Sequence, residues 1–146
     1  MRKILCEFAV AAAVLAASPA SAGLISVTHA TVRMISPEVP AAAYFDMRNL
    51  EEVPIVLTGA SSTACGAMMI HQSSTEGGMA RMRDVPSIVL QPHQDVTFKP
   101  GGYHLMCMNP SAALTSARTV PIKLEFKDHI PIETAFTVTD ALGHPH

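Results

Sequence analysis

Beyond residue 22, no window of eleven or more residues in this chain returns its apolar side chains with the 3.6-residue period of a helix. Short runs rich in Val, Ile, Thr, Phe and Tyr recur instead, cut by Pro, Gly and Ser. These residue types pack well on a pleated, half-buried surface. Their spacing predicts strands at residues 25–34, 42–49, 55–61, 67–72, 80–84, 87–90, 95–98, 103–108, 120–126 and 132–138. Breaks fall at Ser36-Pro37, before Pro54, at Gly77-Gly78, through Lys99-Pro100-Gly101-Gly102, and after Asn109. Many short strands with turns this regular predict an all-β chain, folded as a two-sheet sandwich or a barrel. No internal repeat, linker or low-complexity run divides it. Residues 23–140 therefore read as one domain, and residues 141–146 as a C-terminal tail expected to fray.

The first 22 residues read as a targeting segment. Arg2 and Lys3 make a positive start, an unbroken apolar run follows from Phe8 to Ala17, and Ala20-Ser21-Ala22 supplies the small residues a signal peptidase requires. The apolar run is too short to span a bilayer and no second one follows, so no membrane anchor is expected. Cys6 precedes the apolar core, where a lipoprotein cleavage site would not be, and reads as incidental to the signal. The expectation is a chain exported to the periplasm and cleaved near Ala22.

Export narrows the meaning of what remains. Without Arg2, Lys3 and Glu7 the chain keeps eight basic and eleven acidic side chains, a formal charge of −3 with no basic patch. Nucleic acid and anionic membrane are thereby poor partners. Two cysteines, Cys65 and Cys107, remain after cleavage. In an oxidising compartment they allow a disulfide, a redox-active pair or two separate thiols, and the inward parity of Cys107 favours the structural disulfide. Eight methionines sit beside seven histidines, with no tryptophan. Most such methionines are core filler, so position decides which are not.

The segment Tyr103-His104-Leu105-Met106-Cys107-Met108 supplies such positions. Side chains alternate along a strand, so His104, Met106 and Met108 share one face while Leu105 and Cys107 share the other. Leu105 and Cys107 mark the core side, leaving an imidazole and a thioether side by side on the opposite surface. Met69 and His71 share a face of the strand predicted at 67–72. A reversal through Ser73 to Gly78, with two glycines to take the turn, predicts a hairpin that returns Met82 to His71. Two imidazoles and two thioethers make a neutral, soft donor set that suits Cu(I). Zinc prefers thiolate, imidazole and carboxylate, and hard cations prefer oxygen.

The spacing His71-x10-Met82-x21-His104-x-Met106 resembles the signature of the periplasmic copper A chaperone family. Chance alone would place those four residues at that spacing on the order of once in a thousand chains of this composition. The surroundings resemble the family as well: Met79-Ala80-Arg81-Met82-Arg83, the stretch from Thr97 through Gly101-Gly102-Tyr103 to Met106, and Pro40-Ala41-Ala42-Ala43-Tyr44-Phe45. The resemblance implies a cupredoxin-like β-sandwich with one exposed Cu(I) site made by His71, Met82, His104 and Met106. It implies as partners the cytochrome c oxidase subunit that carries the copper A site, and a Sco-type thiol protein. Neither Cys65 nor Cys107 belongs to the family motif, and the short tail, with only His144 and His146, does not match the longer tails that hold Cu(II).

Other residues have readings of their own. Met69, Met79 and Met108 either add soft ligands or shield the site from water. His29, His93 and His129 fit ordinary strand or turn positions. A blue-copper site would need a cysteine ligand with a histidine in the loop that follows it, and Met108 follows Cys107 directly. No Ser-His-Asp order or paired carboxylates stand in a motif context, so metal transfer and not catalysis is expected. A copper-storage or resistance protein that only sequesters Cu(I) is the alternative. A metal-free adhesion module would make the motif an accident.

Overall fold

A computed structural model describes residues 23–146, and the targeting segment read at residues 1–22 lies outside them. Ten strands form: β1 (Ile25–Arg33), β2 (Ala41–Asn49), β3 (Ile55–Ser61), β4 (Cys65–Glu76), β5 (Met79–Asp84), β6 (Ile88–Leu90), β7 (Asp95–Phe98), β8 (Tyr103–Pro110), β9 (Thr119–Phe126) and β10 (Ile132–Thr139). They join in one hydrogen-bonded sheet in the order β5-β4-β8-β7-β2-β1-β10-β9-β3-β6. The sheet curls until β3 packs against β4, so its two halves face each other as the layers of a sandwich. β2 makes the curl possible by changing partner. Its first half pairs β8 (Ala41↔Cys107, Ala43↔Leu105) and its second half pairs β7 (Phe45↔Phe98, Met47↔Val96).

Alternation along β2 explains the core. Ala41, Ala43, Phe45 and Met47 point inward and are buried, while Ala42, Tyr44 and Asp46 stand on the other face, half-buried. Phe45 stacks on Phe98 at 4.3 Å between ring centroids and meets the edge of Phe136 at 5.5 Å. Burying each such side chain is worth roughly 1.5–3 kcal/mol. Leu105 and Cys107 of β8 and Ile70 of β4 complete this wall, on the face the parity argument assigned to the core.

One local expectation is corrected, and two segments gain detail. The reversal between β4 and β5 is not a loop from Ser73 to Gly78: β4 runs on to Glu76, and only Gly77 and Gly78 turn, both at positive φ (58° and 77°). Continuous pairing from His71↔Asp84 to Glu76↔Met79 satisfies backbone groups that a loop would leave to water. The break after Asn109 holds a short 3-10 turn, Ala112–Thr115, capped by the Ser111 side chain accepting from the Ala113 amide. The tail turns back toward β10. Asp140 accepts from the amides of Leu142 and His144, and the His146 amide donates to the Val138 carbonyl, folding the last residues back on β10.

Candidate metal centre

β4 and β8 run antiparallel in a register that sets His71 opposite His104 and Met69 opposite Met106. Paired residues in an antiparallel ladder share a face, so these four side chains form a two-by-two grid on the side away from Leu105 and Ile70. The imidazole rings of His71 and His104 lie 5.7 Å apart, nearly perpendicular. At the β4–β8 base, Asn109 takes a left-handed conformation (φ 48°), and a side chain on Gly66 would come within 3.1 Å of Asn109 Cβ. That close approach goes with the Cys65–Cys107 disulfide, which ties β4 to β8 with Cα atoms 5.3 Å apart. The disulfide is thus the outcome of the three cysteine readings. It leaves neither sulfur as a thiolate ligand.

His104 is buried, although its strand face is the one turned from the core. The Tyr44 ring at 6.5 Å and the His71 ring cover it. Its Nδ1 donates to the Gly102 carbonyl at 3.3 Å, which holds the proton on Nδ1 and leaves the Nε2 lone pair free. Burial pushes its pKa below the ordinary 6.5. The Gly102 hydrogen bond opposes that shift, and the charge of a protonated His71 would add to it. His104 is therefore neutral at neutral pH, the form a metal requires.

His71 is the unsatisfied member. Neither ring nitrogen makes a hydrogen bond although both are buried. The Asp84 carboxylate lies 2.8 Å from Nε2, close enough to pair electrostatically yet misaligned for a hydrogen bond. Of the two ring nitrogens, Nε2 faces this carboxylate and Nδ1 has no hydrogen-bond partner among the described residues.

Met82 arrives from β5, the edge of the sheet. Its register partner is Ser73 and not His71, which places it on the same face but one step along from His71, diagonal to it. It is 55% exposed, and all six residues of β5 are exposed. The four residues singled out by spacing therefore share one face of three adjacent strands. The remaining soft candidates separate by register. Met79 pairs with Glu76 and falls on the opposite face of β5, Met108 pairs with Ala67 one row beyond Met106, and Met69 lies within the grid. Asp84 was not singled out by the sequence, because only the β4–β5 register brings it to His71. Among the described residues no group of three or more His, Cys, Asp or Glu could hold a metal. The donors gathered here are imidazoles and thioethers.

The family model described as "Putative lipoprotein LpqE-like" matches residues 25–138. The chain belongs to that family, the copper A chaperone family that its motifs resemble. The Cu(I) form of DR1885 from Deinococcus radiodurans is 30% identical, over 78% of this chain and 77% of that one, at a TM-score of 0.63. A copper-bound PCuAC domain from PmoF2 is 22% identical at a TM-score of 0.66, covering 81% of this chain and 94% of that one. At that identity it speaks for the fold alone, which is the cupredoxin-like sandwich expected from the sequence. The protein Lxx21020 of Leifsonia xyli subsp. xyli is 28% identical over 103 residues, and this chain spans 62% of its length. Among the described residues no helix is long and apolar enough to cross a membrane.

Proposed function

We propose that this protein is an exported copper chaperone that carries one Cu(I) on His71, Met82, His104 and Met106. The observation that carries the reading is the His71/His104 pair. Two imidazoles sit opposite each other on adjacent strands, one with its tautomer fixed and one with its Nε2 beside Asp84 and its Nδ1 free of hydrogen bonds, and thioethers flank them on the same face. Neutral soft donors select Cu(I) over zinc and over hard cations. The relative from D. radiodurans with 30% identity is described with Cu(I) bound, which supports the same cargo here.

Delivery follows from exposure. A carrier must let an acceptor reach the ion and replace ligands one at a time, and Met82 on the exposed edge strand is a ligand that can leave first. With Cys65 and Cys107 joined, no thiolate opposes transfer to a thiolate-bearing acceptor. The acceptor we propose is the oxidase subunit that carries the copper A site, with a Sco-type thiol protein acting alongside, in the periplasm. A sequestering store is disfavoured because one open site holds little metal and holds it in reach.

An anaerobic Cu(I) titration against a chromogenic chelator tests the reading. One equivalent should bind. Absence of binding would remove both the chaperone and the store. Mixing the loaded protein with a purified copper A domain should then move the copper, whereas a store would keep it.

A further inference from the structure

We propose that Met69 is a further Cu(I) ligand, a reserve thioether that holds the ion when Met82 lets go. The inference rests on the copper reading above and extends it to a residue outside the spaced motif. Met69 is the direct register partner of Met106, shares its face with His71, and is 39% exposed. The β4–β8 pair therefore carries two imidazoles and two thioethers on its own, before β5 contributes anything. Along β4, Met69 lies one step to one side of His71, and Met82 lies one step to the other by way of its partner Ser73. Copper held by the two histidines and Met106 thus has a thioether on either flank.

Mobility favours the exchange. Met69 lines an open cleft of about 480 Å³ between β3 and β4, together with Thr58, Gly59, Asp84, Val85 and Pro86. Its unbranched side chain has three rotatable bonds and room in which to swing. When an acceptor draws the β5 edge away, or displaces Met82 directly, Met69 restores the fourth ligand beside His71, His104 and Met106. No bond other than a copper–sulfur bond forms or breaks, and Cu(I) keeps its oxidation state throughout.

A double-mutant cycle tests this with leucine, which keeps the apolar volume. Met69→Leu alone should lower Cu(I) affinity about threefold, and Met82→Leu alone about tenfold. If the two thioethers substitute for each other, the double variant should lose about 300-fold, well beyond the product of the single losses. In a Cu(I) titration followed through methionine methyl resonances, the Met69 Cε methyl should shift with that of Met106. Met79→Leu, on the opposite face of the same hairpin, should leave affinity unchanged. A Met69→Leu effect that is absent in both backgrounds, with an unmoved Met69 methyl, would overturn the proposal while leaving the four-residue site standing. If the wild-type protein binds no Cu(I), the copper reading fails and Met69 falls with it.

Discussion

β4 has two neighbours, and they treat it differently. On the β8 side it is paired from Cys65↔Pro110 to Gln72↔Tyr103, tied by a disulfide and backed by buried Ile70, Leu105 and Cys107. On the β5 side it is paired just as regularly, but to a six-residue strand exposed throughout, which among the described residues is an edge of the sheet. The floor brings His104 and Met106, and the arm brings Met82. Local opening free energies track burial, so the arm can separate at little cost while the floor opens only with the fold. Under the proposed copper reading, the donor set is thereby split into ligands that hold and a ligand that releases, a division suited to a carrier.

The comparison breaks most directly if the floor is loosened. Replacing both cysteines by alanine removes a cross-link spanning 42 residues of sequence, a loss of about 4 kcal/mol by the chain-entropy argument. The urea midpoint should fall accordingly, and reduction of the wild-type protein should reproduce the fall. An unchanged midpoint would mean that sheet pairing alone makes the floor rigid.

The next effect concerns the ligands one by one. His104→Ala removes a buried donor whose lone pair is pre-aimed, and Cu(I) affinity should drop about 100-fold, measured by chelator competition. Met82→Leu on the arm should cost about tenfold and should accelerate loss of copper to the chelator. Equal losses for the two variants would erase the distinction between floor and arm.

The floor was legible in the sequence and the arm only in part. Strand parity at Leu105 and Cys107 gives the inward face, and hence the outward one of His104 and Met106, because alternation is a local property of the backbone. Nine of the ten strand positions were readable within two residues at either end for the same reason. The exception is β4, which runs four residues past its expected end, because a strand's length is set by its partner. Register is a long-range property. It sets Met82 opposite Ser73, one step along from His71, brings Asp84 to His71 unannounced, and places Met69 beside His71 while Met79 falls on the opposite face. The burial of His104 was equally hidden, since its cover comes from Tyr44 on β2. So was the fold-back of the tail, whose turn depends on Asp140 accepting from two amides.

The smallest expected effect separates floor from arm by pH. A thioether does not titrate, so Met82 contributes no proton dependence, whereas His104 does. Its pKa in the folded chain lies below 6.5 because burial disfavours the imidazolium. Above 6.5 the group is neutral both folded and unfolded and exerts no pull on stability. As pH falls below 6.5 the unfolded chain takes up a proton that the native protein still refuses, so the native state loses stability. The loss is complete once pH passes the lowered native value. The wild-type denaturant midpoint should therefore decline through that window relative to His104→Gln, in which the titrating group is gone. Met82→Leu should follow the wild-type decline in parallel. Cu(I) affinity should likewise hold steady through the ordinary imidazole range and fall only as pH nears the lowered native value, where protons compete for His104 Nε2. A decline that disappears in Met82→Leu but persists in His104→Gln would assign the proton to the wrong side of β4, and with it the division between the strand that holds and the strand that releases.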